Sequence, residues 1–431
     1  MTSDQPAFSL RSVALSAFLP AALFAIGEGA IIPIIPVVAD GLGATLPVAG
    51  FVAALILVGE LVGDVPSGWL IARIGERTGM IGASLASIVG LVTCLLAPTV
   101  GVLAIGVFVI GLSTAVFALA RHAFMTTHVP LAIRARALSS LGGVFRLGAF
   151  VGPLIAAGVI HLTGTTQSAF VVHIVGCLGA AVVLLVVRDP AATVGGRARL
   201  RPSDQGAAPA DAEEAERAVR GLFPTLWANR GVLVKLGSGA ALIGAMRSGR
   251  QVMLPLWAVS IGLGDSQTAL VIGLAGAVDF ALFYTSGQIM DRWGRLASAL
   301  PSMLGLSASY LALALTAGAD ARTTLFVVVA LAMSLANGVG SGILMTLGAD
   351  LADPRDPAPF LGAWRFTCDA GSAAAPLLIS GLTAVASLAV ASAAMGVLGL
   401  VGAGVLLRYV PRYVPRRRPG TDPPPAADDL T

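Results

Sequence analysis

Residues 18–38, FLPAALFAIGEGAIIPIIPVV, form an apolar run with one carboxylate near the middle, Glu28. As a helix, a run of about 20 residues reaches across the ~30 Å hydrocarbon core of a bilayer. Similar runs recur near 13–38, 47–71, 79–97, 101–126, 137–161, 168–188, 231–260, 267–290, 297–317, 323–348, 360–385 and 387–408. A soluble fold would need polar faces alternating with apolar ones, yet 56% of the 431 residues are hydrophobic and only 12% charged. The runs are long and rich in Gly and Ala, which favours helices over a transmembrane barrel with its short alternating strands. The sequence therefore predicts an all-α polytopic membrane protein with twelve transmembrane helices.

The distribution of Lys and Arg orients it. With both termini cytoplasmic, Arg322 is the one basic residue on an outer loop, and Arg146, Arg247, Arg250 and Arg365 fall inside spans. The remaining basic residues lie on the inner side, as the positive-inside rule requires. That placement explains the net charge of +4 through contact with anionic lipid, so the lipid bilayer and not nucleic acid is the partner expected of it. The domains read as a cytoplasmic tail (1–12), a six-helix half (13–188), a polar cytoplasmic linker (189–230), a second half (231–408) and a disordered cytoplasmic tail (409–431). Cys94, Cys177 and Cys368 sit in apolar runs as small hydrophobes. His122 and His128 fall near the inner end of the fourth span, His161 and His173 near the outer surface, and none has metal-ligand spacing. No cofactor is expected. No Gly-Lys-Ser/Thr follows a strand, which argues against ATP-driven pumping.

A shift of 219 residues aligns the special residues without a gap. Pro36 meets Pro255, Gly68 meets Gly287, Arg73 meets Arg292, Gly75 meets Gly294, Arg136 meets Arg355, Gly143 meets Gly362, Arg146 meets Arg365 and Gly152 meets Gly371. Glu60 falls on Asp279. A constant offset across such residue types marks two six-helix halves in parallel repeat.

The tight inner loop GQIMDRWGR, residues 287–295, carries Gly287, Asp291, Arg292, Gly294 and Arg295. Its counterpart GWLIARIGER carries Gly68, Arg73, Gly75 and Arg77. These loops resemble the motif of the major facilitator superfamily. In it, glycines permit close approach and sharp turning, and an acid–base set pairs across the inner face. The first copy departs from the pattern, with Ala72 at the acid position and Glu76 at a basic one; Asp64 is a candidate substitute. In the fifth span, FRLGAFVGPLIAAG places Gly148, Gly152 and Pro153 in an arrangement similar to the signature of the drug/proton antiporter branch. There, small residues pack the helix against a neighbour and the proline bends it. Ala156 and Ala157 stand where that signature has glycines, and ordinary small-residue packing is the alternative.

The resemblance implies a secondary active transporter working by alternating access on a small-molecule substrate, and not an enzyme. The charges inside the spans are the candidates for its mechanism. By the repeat Glu28 falls on Arg247, in the two helices that line the cavity in this superfamily. Burial favours the neutral form of a carboxylate and a nearby arginine the charged form, so conformational change can load and unload a proton. A permanent Glu28–Arg247 structural pair is the alternative. Arg250, one turn beyond Arg247, gives the seventh span two positive charges and points to an anionic or zwitterionic substrate. Glu60 and Asp279 are further titrating candidates. Arg146 is an exposed candidate without a local partner, and Arg365 and Asp369, one turn apart, read as a structural pair. Asn337 in NGVGSG reads as a site of close helix approach. The expected function is proton-coupled efflux of a small amphipathic organic compound by a monomer in a bacterial inner membrane. A proton-coupled importer or uniporter, or a membrane sensor or lipid-handling scaffold, are the alternatives.

Overall fold

The protein is described from a computed structural model covering residues 18–128, 131–187, 224–318, 320–352 and 358–414, without the side chains of 126–139 and 358. The expected N-terminal tail, the linker up to residue 223, Arg355, the side chains of Arg136 and His128, and the C-terminal tail from 415 lie outside the described residues.

The first half holds α1 (Leu19–Gly41), α2 (Leu46–Ile74), α3 (Glu76–Leu95), α4 (Val100–His128), α5 (Leu131–Thr163) and α6 (Ser168–Val186). The second holds α7 (Ser238–Ser260), α8 (Asp265–Trp293), α9 (Arg295–Leu315), α10 (Arg322–Leu351), α11 (Ala358–Val385) and α12 (Leu388–Tyr413). Among the described residues, eleven helices are long and apolar enough to cross a membrane. The exception is α7. Arg247 and Arg250 lower its hydropathy, and a π-helical stretch, Leu233–Gly237, leads into it. It nevertheless occupies the position of the seventh span and buries most of its length inside the bundle. α12 runs five residues past its expected end at 408, and residues 224–228 of the expected linker are helical.

The repeat is visible in the packing. α1 packs on α5 and α6, α2 on α4, and α3 on α4 and α6; likewise α7 packs on α11 and α12, α8 on α10, and α9 on α10 and α12. The halves meet through the symmetric pairs α5–α8 and α2–α11. Glycine makes these approaches possible, because small residues let helix backbones close up where lipid supplies no hydrophobic drive. A Cβ on Gly148 would lie 2.5 Å from the backbone of Ala25, and one on Gly152 would lie 2.6 Å from Ala30 N. The neighbour that α5 packs against is therefore α1, on both sides of Glu28. Gly59 and Gly63 bring α2 onto α4 at Leu112 and Ala115 in the same way.

The loops between α2 and α3 and between α8 and α9 turn on their second glycines. Gly75 (φ +80°) and Gly294 (φ +89°) adopt the left-handed backbone region and end α2 and α8 by donating to Ile71 O and Met290 O. Gly68 and Gly287, expected to permit close approach, have essentially open space where a Cβ would stand.

α1 is broken. Its helix stops at Ile31 and resumes at Ile35, with Pro33 in the gap and Pro36 in the first turn beyond. Neither proline has an N–H, so the ladder is interrupted where the sequence places them. α10 has a similar break at Gly340–Gly342.

Candidate functional site

The charged side chains inside the bundle form two clusters. In the second half Asp279 of α8 is the hub. Its Oδ1 lies 3.0 Å from Arg146 Nη1 of α5, and its Oδ2 accepts from Asn337 Nδ2 of α10 at 2.7 Å and from Arg250 Nη2 of α7 at 3.4 Å. Arg250 also donates to Ser334 Oγ at 2.7 Å. Arg146 stacks its guanidinium 4.8 Å from the Phe283 ring centre. Arg247 donates to Gly340 O, in the break of α10. Glu28 is not among the charged groups around Arg247, which are Arg146, Asp279 and Arg250. Asn337, expected to serve only helix approach, is thus a ligand of the hub. Arg146, lacking a local partner in sequence, finds one in the other half of the molecule.

The first-half cluster is built differently. Glu28 is half-buried on α1 and faces Thr114 and Arg121, both on α4. Arg121 is only 3% exposed and lies 3.8 Å from the Phe145 ring centre. Arg121, one of the basic residues that the positive-inside pattern assigns to the inner side, lies instead inside the bundle. Two signals mark it in the sequence: apolar residues on both sides, VFALA and AFM, and a spacing of two helical turns from Thr114. The repeat explains the placement. Positions 28 and 121 correspond to 247 and 340: Arg121 lies within electrostatic reach of Glu28 in one half, and Arg247 donates to the Gly340 carbonyl in the other.

Glu60 lies within electrostatic reach of Glu28, Asp64, Asp369 and Arg365. Arg365 Nε sits 3.3 Å from Asp369 Oδ2. Glu60, Asp64, Thr114, Arg365, Asp369 and Ser372 line a cavity between α2, α4 and α11, of about 400 Å³ with its open mouth included. The halves close beyond it. Ser380 Oγ of α11 donates to Pro47 O of α2 at 2.8 Å, and Ser266 Oγ of α8 donates to Ala157 O of α5 at 2.9 Å. Thr166 and Asp265 also pair at that end. The cavity lies on the side of these contacts that faces the 2–3 and 8–9 loops. Asp64 points its chemistry at this cavity, not at the loop motif.

The loop cations bind within their own halves. Arg77 Nε donates to Leu184 O at 2.6 Å and Arg77 Nη2 to Val187 O at 2.7 Å. Arg295 holds both oxygens of Asp350 on α10, at 2.7 and 3.1 Å, and lies 3.7 Å from Asp291. Arg73 and Arg292 lie over Trp69 and Trp293. Among the described residues, these arginines attach each loop to its own half, and Asp291 pairs with Arg295 of the same loop. His173, expected near the outer surface, is fully buried against Phe24 and Gly27 of α1.

A multi-pass bundle of two repeated halves, with charged groups and a cavity at the seam between them, is the architecture of a membrane transporter. The chain belongs to the Major Facilitator Superfamily, whose family model matches residues 17–376. It is 30% identical over 131 residues to the uncharacterized MFS-type transporter Rv1877 of Mycobacterium tuberculosis. That match spans 30% of this chain and 19% of the relative. Among solved structures it resembles a POT family transporter in complex with a thioalcohol-conjugated peptide, with TM-score 0.74, 12% identity, and 94% and 97% of the two chains covered. It also resembles the xylose transporter XylE from E. coli in a partially occluded inward-open conformation, with TM-score 0.68, 16% identity, and 93% and 99% covered. At these identities the two structures share the fold.

Proposed function

We propose that this transporter is a proton-coupled exporter of small amphipathic organic compounds, working by alternating access with both termini in the cytoplasm of a bacterial cell. The observation that carries the reading is the Glu28–Arg121 arrangement beside the Glu60 and Asp64 cavity. A carboxylate inside an apolar helix is expensive unless it is neutral or faces a cation. Rocking the halves changes the water and charge around it, so the group alternates between holding and releasing a proton. Asp279 and its arginines hold the other half of the seam together during that cycle. The inner-loop attachments at Arg77 and Arg295 keep each half rigid, so that movement is confined to the seam.

A resistance or metabolite-accumulation screen on an overexpressing strain supplies the substrate. The wild type and Glu28→Gln are then compared in proteoliposomes under an imposed pH gradient. The wild type should move that compound uphill against inward proton flow, and Glu28→Gln should lose uphill movement while keeping downhill exchange. Equal uphill rates in both would remove Glu28 from the coupling role. Uphill movement in the same direction as the protons would make the protein an importer.

A further inference from the structure

We infer that the arginine cluster around Asp279, at the seam between the halves, binds one small anion, either free or as the anionic end of the transported compound; this rests on the transporter reading and narrows its substrate class. Arg146 of α5 with Arg247 and Arg250 of α7 brings three guanidinium groups together, and Asp279 of α8 is the one carboxylate acting on them among the described residues. A guanidinium keeps its charge at physiological pH, so it cannot escape the cost of burial by losing a proton. The cluster therefore holds two positive charges more than its carboxylate can offset. The acids of the first-half cluster do not make up the difference, because the charged groups acting on Arg146 and Arg247 are the arginines of this cluster and Asp279. Charge inside a membrane bundle is expensive without a counter-charge.

The hydrogen-bond donors point the same way, independently of the charge count. Arg247 Nε and Arg250 Nε are buried without an acceptor, although the outer nitrogens of these side chains are engaged by the Gly340 carbonyl, Asp279 and Ser334. Ser341 is only 4% exposed, and its hydroxyl has no partner. It stands in the break of α10, next to the Gly340 carbonyl that Arg247 reaches, and its own carbonyl lies 3.5 Å from Arg146 Nη2. Buried donors without acceptors are uncommon, and three in one cluster call for a ligand that accepts. An anion both accepts hydrogen bonds and offsets the charge, and bonds from guanidinium groups to it are the strong kind. Asn337 Oδ1, also unpartnered, is an acceptor that suits a water molecule entering with the anion.

Helix packing alone does not call for these arginines. Arg247 and Arg250 correspond by the repeat to Glu28 and Ile31, so the first half builds the equivalent helix arrangement with neither. The cluster is also reachable, since Arg146, Arg250 and Asp279 keep 22%, 13% and 14% of their side chains exposed. Arg146 comes from the first half and the other members from the second, so an anion held here joins the two halves. Asp279 is its resident competitor, because it occupies donors of Arg146 and Arg250 that would otherwise serve the anion.

The test is equilibrium binding of radiolabelled chloride and benzoate to the purified full-length chain in nanodiscs of zwitterionic lipid, with empty nanodiscs subtracted. Benzamide, which has the shape of benzoate without its charge, is the control probe. Saturable binding of at least one anion and none of benzamide is expected. Benzoate that displaces chloride, or binds alone, assigns the site to the anionic end of an organic compound; chloride that benzoate does not displace assigns it to a free inorganic ion. Arg247→Gln and Arg250→Gln should each weaken anion binding about tenfold or more. Arg250→Lys should retain most of it, Ser341→Ala should weaken it severalfold, and the exposed control Arg412→Gln should leave it unchanged. Asp279→Asn should strengthen it, a gain that a purely structural cluster would not show, with size-exclusion profiles confirming the folded state of each variant. Failure of both anions to bind, equal binding of benzamide, weaker binding in folded Asp279→Asn, or full affinity in folded Arg247→Gln and Arg250→Gln would overturn the inference. Transport separates it from the proposed function. Anion binding with no proton-driven uphill movement refutes the exporter and keeps the site, whereas uphill export by a chain that binds neither anion keeps the exporter and refutes the site.

Discussion

Asp279→Asn tests whether the second-half cluster is a hub with spokes. The substitution keeps the shape of the side chain and removes the charge that Arg146 and Arg250 share, at 3.0 and 3.4 Å. Breaking a buried ion pair from one side costs about 3–5 kcal/mol, mainly because the surviving charge is left uncompensated. Here two arginines survive. However, they keep carbonyl and hydroxyl acceptors at Ser341 and Ser334, and their side chains are 22% and 13% exposed, which sets the cost near the low end. About 3 kcal/mol is expected, some two decades in the folding equilibrium. Arg146→Gln should cost only about 1 kcal/mol, because Asp279 retains Arg250 and Asn337 as donors. The double variant should cost less than the two single changes together, since Arg146→Gln removes one of the uncompensated charges. The assay is SDS-titration unfolding in mixed micelles, followed by tryptophan fluorescence. Equal costs for Arg146→Gln and Asp279→Asn, or additivity in the double variant, would refute the hub.

Gly148→Leu and Gly152→Leu should each destabilise the first half by roughly 1–3 kcal/mol or more, because their side chains meet the α1 backbone; Gly143→Ala, with open space around it, should be neutral in the same unfolding assay. Gly294→Ala should cost about 1–2 kcal/mol for its left-handed backbone at φ +89°, and Gly287→Ala, seven residues earlier, should stay within about 0.5 kcal/mol of wild type. Arg121→Gln should reduce proton-driven transport in proteoliposomes by at least tenfold, because Glu28 then lacks the cation that faces it; an undiminished rate would remove Arg121 from the mechanism.

The helices and the repeat were legible because they are local or periodic properties. Apolar run length gives each span, and a constant offset needs only residue types that rarely coincide, such as Arg146 with Arg365 and Gly75 with Gly294. The glycines of α5 announced a close contact, and the sequence could not say with which helix. Side-chain partners were harder. Arg146 and Asp279 are 133 residues apart and in different halves, so neither period nor spacing links them. The repeat suggests Glu28 with Arg247 only if equivalent positions are neighbours. Equivalence by the repeat instead carries a neighbourhood to its counterpart: Arg121 lies within electrostatic reach of Glu28 as Gly340 accepts from Arg247. One member of the second contact is a backbone carbonyl, which leaves no trace in side-chain chemistry. Asn337 hides its role for a related reason: its glycine-rich surroundings bring α10 onto α8, and its amide serves Asp279 in addition.

The break in α1 divides one span between two sets of attachments. Leu19–Ile31 is fastened to α5 and α6, whereas Ile35–Gly41 rests on α2 and on α7 of the opposite half. A rod fixed to two bodies that rock against each other must bend somewhere, and an intact helix would resist by straining every hydrogen bond along it. Under the proposed alternating access, the gap at Ile32–Ile34 gives the rod a joint where torque from the opposite half would be absorbed, one turn from Glu28. On that proposal the carboxylate sits at the pivot end of Leu19–Ile31, where a small rotation of Ile35–Gly41 would change its surroundings without moving its anchor on α5.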